Sequence, residues 1–113
     1  MYICGCKRML MPQDWINIHT HRPGEGVNIV DPCLGNVIMP GQGAVYFSLG
    51  IHPMYIDDMV EERLQKIELA AAEGKIVAVG EAGVDRNAPA PMEVQLKLFG
   101  RQAEIAGRYG LPL

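Results

Sequence analysis

The chain has 113 residues, 49% of them hydrophobic and 20% charged, with a formal net charge of -3, the length and make-up of one folded domain rather than a disordered polymer. The negative balance excludes general electrostatic coating of nucleic acid, so contact with a phosphate backbone has to come from a local site or a metal. No apolar run approaches the roughly 20 residues that span a bilayer, and Met1 to Arg8 lack the ordered regions of a signal peptide, which sets the expectation of a cytoplasmic protein with no membrane partner.

Residues 1–14 show no clear hydrophobic period and read as an amino-terminal extension, leaving 15–113 as the domain. Cys4, Cys6 and Cys33 are odd in number, which argues against a disulfide framework. Cys4 and Cys6 are half of a thiolate metal site at most, because no second Cys or Cys/His pair follows at finger-like spacing. Trp15 to His19 is rich in β-branched and aromatic residues and runs into Arg22-Pro23-Gly24, so it reads as a strand ending near His21. Val27 to Val30 is a second short strand. Ala44 to Leu49 is a third, a nearly continuous apolar run of the kind buried on both faces.

Beyond Gly50-Ile51-His52-Pro53 the period changes. Val60, Leu64, Ile67 and Ala71 step by four, three and four and share one face of a helix. Asp58 with Glu61 gives a capping-box-like start, and Gly74 a natural end. Lys75 to Gly80 is a short buried strand, closing at Glu81-Ala82-Gly83-Val84-Asp85. A second helix follows, with Pro91 in its first turn, an apolar stripe of Met92, Leu96, Phe99, Ala103 and Ala106, and Gly110 at its end. Leu111-Pro112-Leu113 opens one more strand. Strands alternating with helices predict a largely parallel α/β sheet. The first two strands lack a helix between them, so a local antiparallel pair or a degenerate unit is expected there.

His19 and His21 are two apart at the end of a strand, where side chains at i and i+2 point the same way. Both imidazoles can face one ion. In a barrel of parallel strands the chemistry gathers at the C-terminal strand ends, and His52, Glu81 and Asp85 also follow strands. Two imidazoles and a carboxylate suit Zn²⁺ or Mn²⁺, which lower the pKa of bound water toward about 7 and make hydrolysis the most direct chemistry. Each residue also has a plainer reading. Paired histidines occur as satisfied structural residues; Glu81 between Gly80 and Gly83 can anchor a tight turn; His52-Pro53 can cap the next element; and Asp85 can hold its own loop.

Taken together, Ile18-His19-Thr20-His21, Gly50-Ile51-His52-Pro53, Gly80-Glu81-Ala82-Gly83-Val84-Asp85, and then Gln95, Phe99, Gln102 and Leu111-Pro112 resemble the TatD family of metal-dependent hydrolases over about residues 15–113. The resemblance implies an incomplete TIM-type (β/α) barrel with largely parallel strands, deoxyribonuclease-type activity on DNA or another phosphodiester, and two divalent metal ions (Zn, Mg or Mn). It implies His19 and His21 as the first metal-ligand pair, Glu81 as the carboxylate between the ions, and His52 as the histidine of the Gly-x-His-Pro motif near the site; Glu81, His52 and Asp85 are the catalytic candidates. The family places further ligands, two histidines and an aspartate, on later strands; the strand opening at Leu111 would deliver the next histidine. Two departures stand out: Asn17 where the family commonly has Asp, and Arg22-Pro23 where it commonly has Leu-Asp. Asn can hydrogen-bond but supplies no negative charge to a metal site. The alternative expectation is a catalytically inactive half-barrel that acts as a binding module and self-associates through open sheet edges.

Overall fold

A computed structural model of the chain describes residues 16–32 and 44–113. The extension over 1–14, the three cysteines and most of the Gly/Pro-containing stretch before Ala44 lie outside the described residues. Four strands form one sheet in the order β1-β2-β3-β4: Ile16–Thr20, Val27–Val30, Ala44–Leu49 and Ala78–Val79. Helices α1 (Val60–Ala72) and α2 (Met92–Arg108) flank β4 in the chain, and a short 3-10 turn, Pro53–Tyr55, follows β3. Every strand pair is parallel, so the architecture is an incomplete TIM-type α/β barrel. No helix among the described residues is long and apolar enough to cross a membrane.

The first two strands are parallel despite having no helix between them. Residues 21–26 suffice for the return because a chain covers about 3.3 Å per residue and β1 is short. The return is held by Asn28, which is buried; its Oδ1 accepts from Gly24 N at 3.2 Å, and its Nδ2 donates to Gly24 O at 2.9 Å and Gly26 O at 3.2 Å.

The apolar stripe expected on α1 is the one observed: Leu64, Ile67 and Ala71 are buried, with Val60 packed at the margin. They meet Ile51, Ile76, Val79, Leu98, Ile105 and Ala106 in one core, where each large side chain contributes about 1.5–3 kcal/mol by leaving water. Both helices end as glycine allows. Lys75 N donates to Ala70 O at 2.8 Å and Gly74 N to Ala71 O at 3.1 Å, with Gly74 at φ +68°; Leu111 N donates to Ala106 O at 2.8 Å, with Gly110 at φ +65°. This is a Schellman closure in each case.

Five expectations are corrected. Asp58 makes no cap: Met59 is the N-cap residue without a side-chain bond, Asp57 accepts from Met59 N at 2.9 Å, and Glu61 reaches across to Arg101 on α2. That pairing, through the hydrogen bond from Arg101, holds the Glu61 carboxyl below its ordinary range. The strand expected over Lys75 to Gly80 narrows to Ala78–Val79, because Ile76 turns into the core. Its flanks still bond to β3, Val77 N to Phe47 O at 2.8 Å and Gly80 N to Leu49 O at 3.0 Å. β3 is not buried on both faces, since Tyr46 is 48% exposed. The buried stripe of α2 is Gln95, Leu98, Gln102, Ile105 and Ala106, while Met92 and Leu96 face solvent; Pro91 precedes the helix as its N-cap residue.

Candidate metal centre

The last turn of β1 carries a break in pairing. Asn17 pairs with Asn28 and Thr20 with Val30, so the register slips by one residue between them. In-register neighbours share a sheet face, and a slip of one residue reverses the faces that follow it. Thr20 therefore lies on the helix-facing side with Val30 and Phe47, and the histidines on either side of it turn to the opposite, inner face. His19 and His21 have ring centroids 5.2 Å apart in an edge-to-face arrangement, 82° between planes.

Glu81 comes from β4. It follows Gly80 directly and holds φ +58°, the left-handed region that non-glycine residues rarely adopt. That turn sends its carboxylate back across the strand ends, where Oε1 lies 3.2 Å from His19 Nε2 and 3.0 Å from His21 Nε2. One donor atom from each of His19, His21 and Glu81 falls within 4.8 Å of the other two. His21 Nδ1 makes a 2.9 Å hydrogen bond with the main-chain oxygen of Asp31, which fixes Nδ1 as the protonated nitrogen and leaves Nε2 facing the cluster. The same bond, with Glu81 adding to it, raises the His21 pKa above the imidazole value of 6.5 against the opposing effect of burial.

Glu81 also borders a cavity of about 510 Å³ lined with Asp31, His52, Tyr55, Asp57 and Arg63. His52 Nδ1 accepts a 3.0 Å bond from Met54 N and so caps the 3-10 turn. A neutral imidazole with Nδ1 as acceptor carries its proton on Nε2, so His52 offers the cavity a donor rather than a metal-binding lone pair. Asp85 lies further round the loop: its Oδ1 accepts from Asn87 N at 2.8 Å, an Asx turn that holds its own segment. The structure thus brings His19, His21 and Glu81 together, sets His52 on the cavity that Glu81 shares, and keeps the Asp85 carboxylate on its own turn.

The sequence profile of the family described as TatD related DNase matches residues 37–113, more than half of the chain. The chain belongs to this family. Among curated relatives, a stretch of 70 residues is 36% identical to the "Uncharacterized metal-dependent hydrolase YabD" of Bacillus subtilis. A stretch of 75 residues is 31% identical to the "Uncharacterized metal-dependent hydrolase TatD" of Mycobacterium tuberculosis. Each alignment takes in 61% of this chain and 28% of the relative, so the chain spans little more than a quarter of the relatives it matches. No solved structure matches it. The TatD-family profile begins after β1, so the case for His19 and His21 rests on their geometry with Glu81.

That geometry fits a divalent ion. Two imidazole nitrogens and a carboxylate oxygen are a borderline-soft donor set suited to Zn²⁺ or Mn²⁺, and the Asp31 carbonyl behind His21 is the usual outer support of a ligating imidazole. Three contributors to this cluster and its cavity were not read from the sequence. Asp31 is buried beside the cavity; its signal was an acid directly after a strand, the position already singled out for Glu81. Arg63 on α1 ties the cavity rim, donating to Tyr55 O at 2.6 Å and Asp57 Oδ2 at 2.8 Å, and nothing in the helical period marks it. The register slip in β1 has no sequence signal at all.

Proposed function

We propose that the chain is the metal-binding portion of a hydrolase that acts on phosphodiester bonds, DNA being the substrate class that the family name suggests. His19, His21 and Glu81 are the ligands, and residues 15–113 form the domain. The observation that supports this reading is the meeting of two Nε2 atoms and one carboxylate oxygen at a common point on the strand ends. A divalent ion held by these three residues would supply a water of lowered pKa and Lewis-acid polarisation of a phosphoryl oxygen.

The chain's own residues have separable tasks. The imidazoles of His19 and His21 offer lone pairs, and the Asp31 carbonyl keeps His21 in the tautomer that does so. Glu81 contributes charge, and its second carboxylate oxygen is available to a neighbouring ion or to a water proton. His52, through Nε2–H, donates to a phosphoryl oxygen in the cavity; Asp85 keeps the Glu81 loop in shape and stands as the most distant catalytic candidate. A cytoplasmic setting belongs to the same proposal.

Calorimetric titration of Mn²⁺ into the wild-type chain, His19→Ala and Glu81→Ala tests it. Weak binding in the wild type, lost in both variants, is the expected result; equal heats in all three would overturn it. Three protein donors hold an ion loosely, so the 113-residue polypeptide by itself is expected to degrade single-stranded DNA slowly or not at all. Rapid degradation in Mg²⁺ or Mn²⁺ that Glu81→Ala abolishes would overturn that second expectation and strengthen the first.

A further inference from the structure

We propose that Gln95 and Gln102 are positioning residues: from one buried face of α2, their side-chain amides hold the two loops that deliver His52 and Glu81 to the shared cavity. The proposal rests on reading that cavity and the adjoining His19, His21, Glu81 cluster as the hydrolytic site.

Both glutamines are 1% exposed, on the same stripe of α2 as Leu98 and Ile105. Seven residues separate them, two helical turns or about 10 Å along the axis. Gln102 Oε1 accepts from Ile51 N at 2.7 Å, one residue before His52. Gln95 grips the main chain of Asp85 from both sides, Oε1 accepting from its N–H at 2.7 Å and Nε2 donating to its carbonyl at 3.0 Å. The second Nε2 hydrogen goes to Ala90 O at 2.7 Å.

A stripe that served only to fill the core would carry leucine at these two positions, since a buried amide is tolerated only where its bonds are made. Apart from Gln102 Nε2, which donates to Leu98 O of its own helix at 3.4 Å, the bonds run to the segments that leave β3 and β4, neighbours in the sheet. Gln102 holds the β3 exit just before His52. Gln95 holds the far end of the loop whose near end is Glu81. One rigid helix therefore sets the spacing of two loops that leave neighbouring strands. The residue type matters at each position. Gln102 acts mainly as an acceptor, which a carboxyl group can replace. Gln95 makes two donations to carbonyls, which a carboxylate cannot.

Amide hydrogen exchange on the wild-type chain is the first test, and it involves no variant. The amides of Ile51 and Asp85 should exchange as slowly as that of Ile105, on the order of a hundredfold slower than that of Arg86 in the exposed loop; exchange at the Arg86 rate would overturn the proposal. In Gln102→Met the imidazole resonances of His52 should shift while Mn²⁺ affinity holds, and Gln102→Glu should restore them. In Gln95→Met the His52 resonances should hold while Mn²⁺ affinity falls about tenfold, the usual cost of losing an outer-shell support, and Gln95→Glu should not restore it. Folded variants with wild-type resonances and wild-type affinity would show the glutamines to be merely structural. A wild-type chain that binds no Mn²⁺ would sink the metal reading alone, leaving exchange and the His52 resonances to decide the role of the glutamines.

Discussion

Glu81 pays for its place in backbone strain. A side chain at φ +58° costs about 1–2 kcal/mol against glycine in the same conformation, whereas alanine is elsewhere better than glycine by about 0.5–1 kcal/mol. Glu81→Ala and Glu81→Gly both remove the carboxylate and with it the metal affinity, yet the glycine variant should be the more stable of the two by about 1 kcal/mol in urea unfolding. An alanine variant equal to or more stable than the glycine variant would show that the turn is not strained. His21 gives the second expectation at this scale. Its pKa is raised first by the Asp31 carbonyl and then by Glu81, so protons compete with a metal already above pH 6.5, and Mn²⁺ affinity should fall on acidification from a starting point more alkaline than an ordinary imidazole would give. Stability of the metal-free chain runs the other way: a raised folded-state pKa contributes fully below the unfolded value and is lost as pH rises through the folded one. With His21 about half exposed the slope should be shallow. His21→Ala should flatten it, and a slope that persists would assign it to another group.

Glycines separate the elements by what surrounds them. A Cβ on Gly50 would lie 1.5 Å from Gly80 O, backbone that cannot give way, because Gly80 N is itself bonded to Leu49 O. Gly50→Ala should therefore cost at least about 3 kcal/mol or prevent folding. Gly100 in mid-α2 has nothing within 4 Å of that position, and Gly100→Ala should stabilise by about 1 kcal/mol; thermal unfolding of the two variants moves in opposite directions if the strand ends are packed as described. At this scale much was legible from sequence. β2, β3 and α1 follow from local composition and period, and Gly50-Ile51-His52-Pro53 marks a strand exit because its glycine answers a backbone contact. What escaped was what period cannot carry. The inward stripe of α2 holds two amides whose partners are loop carbonyls and amides, so an apolar count selected Met92 and Leu96 instead. The β1 bulge is set by the pairing of Asn17 and Thr20 with β2, a tertiary property. Asp58 and Glu61 have the letters of a cap, but Glu61 finds Arg101, 40 residues away in sequence yet adjacent across the helices.

The sheet as a whole is closed on one side only. Its helix-facing side packs Phe47, Leu49 and Val79 against α1 and α2. On the other, Tyr46 is 48% exposed, and the edge strand β1 shows Ile16 at 67% and Ile18 at 76%. Ile16 is in register with Val27, and Ile29 with Tyr46, which makes an apolar inner face rather than scattered single residues. At the other edge Val79 N already donates to Pro112 O at 2.9 Å, so among the described residues β1 is the edge with unpaired main chain. An apolar face next to an open edge is a template for pairing with another chain. The 113-residue polypeptide should consequently self-associate, with β1 edges meeting. Charge on that edge opposes such pairing by desolvation and repulsion, so Ile16→Lys with Ile18→Lys should shift sedimentation toward monomer without moving the Mn²⁺ affinity, because the His19 and His21 side chains meet Glu81 from the loop after β4 at the strand ends, and neither isoleucine contributes a donor atom. A wild-type chain that sediments as a monomer at high concentration would refute association through this edge, and a double variant that loses metal binding would mean that the edge of β1 and the placing of its histidines are coupled.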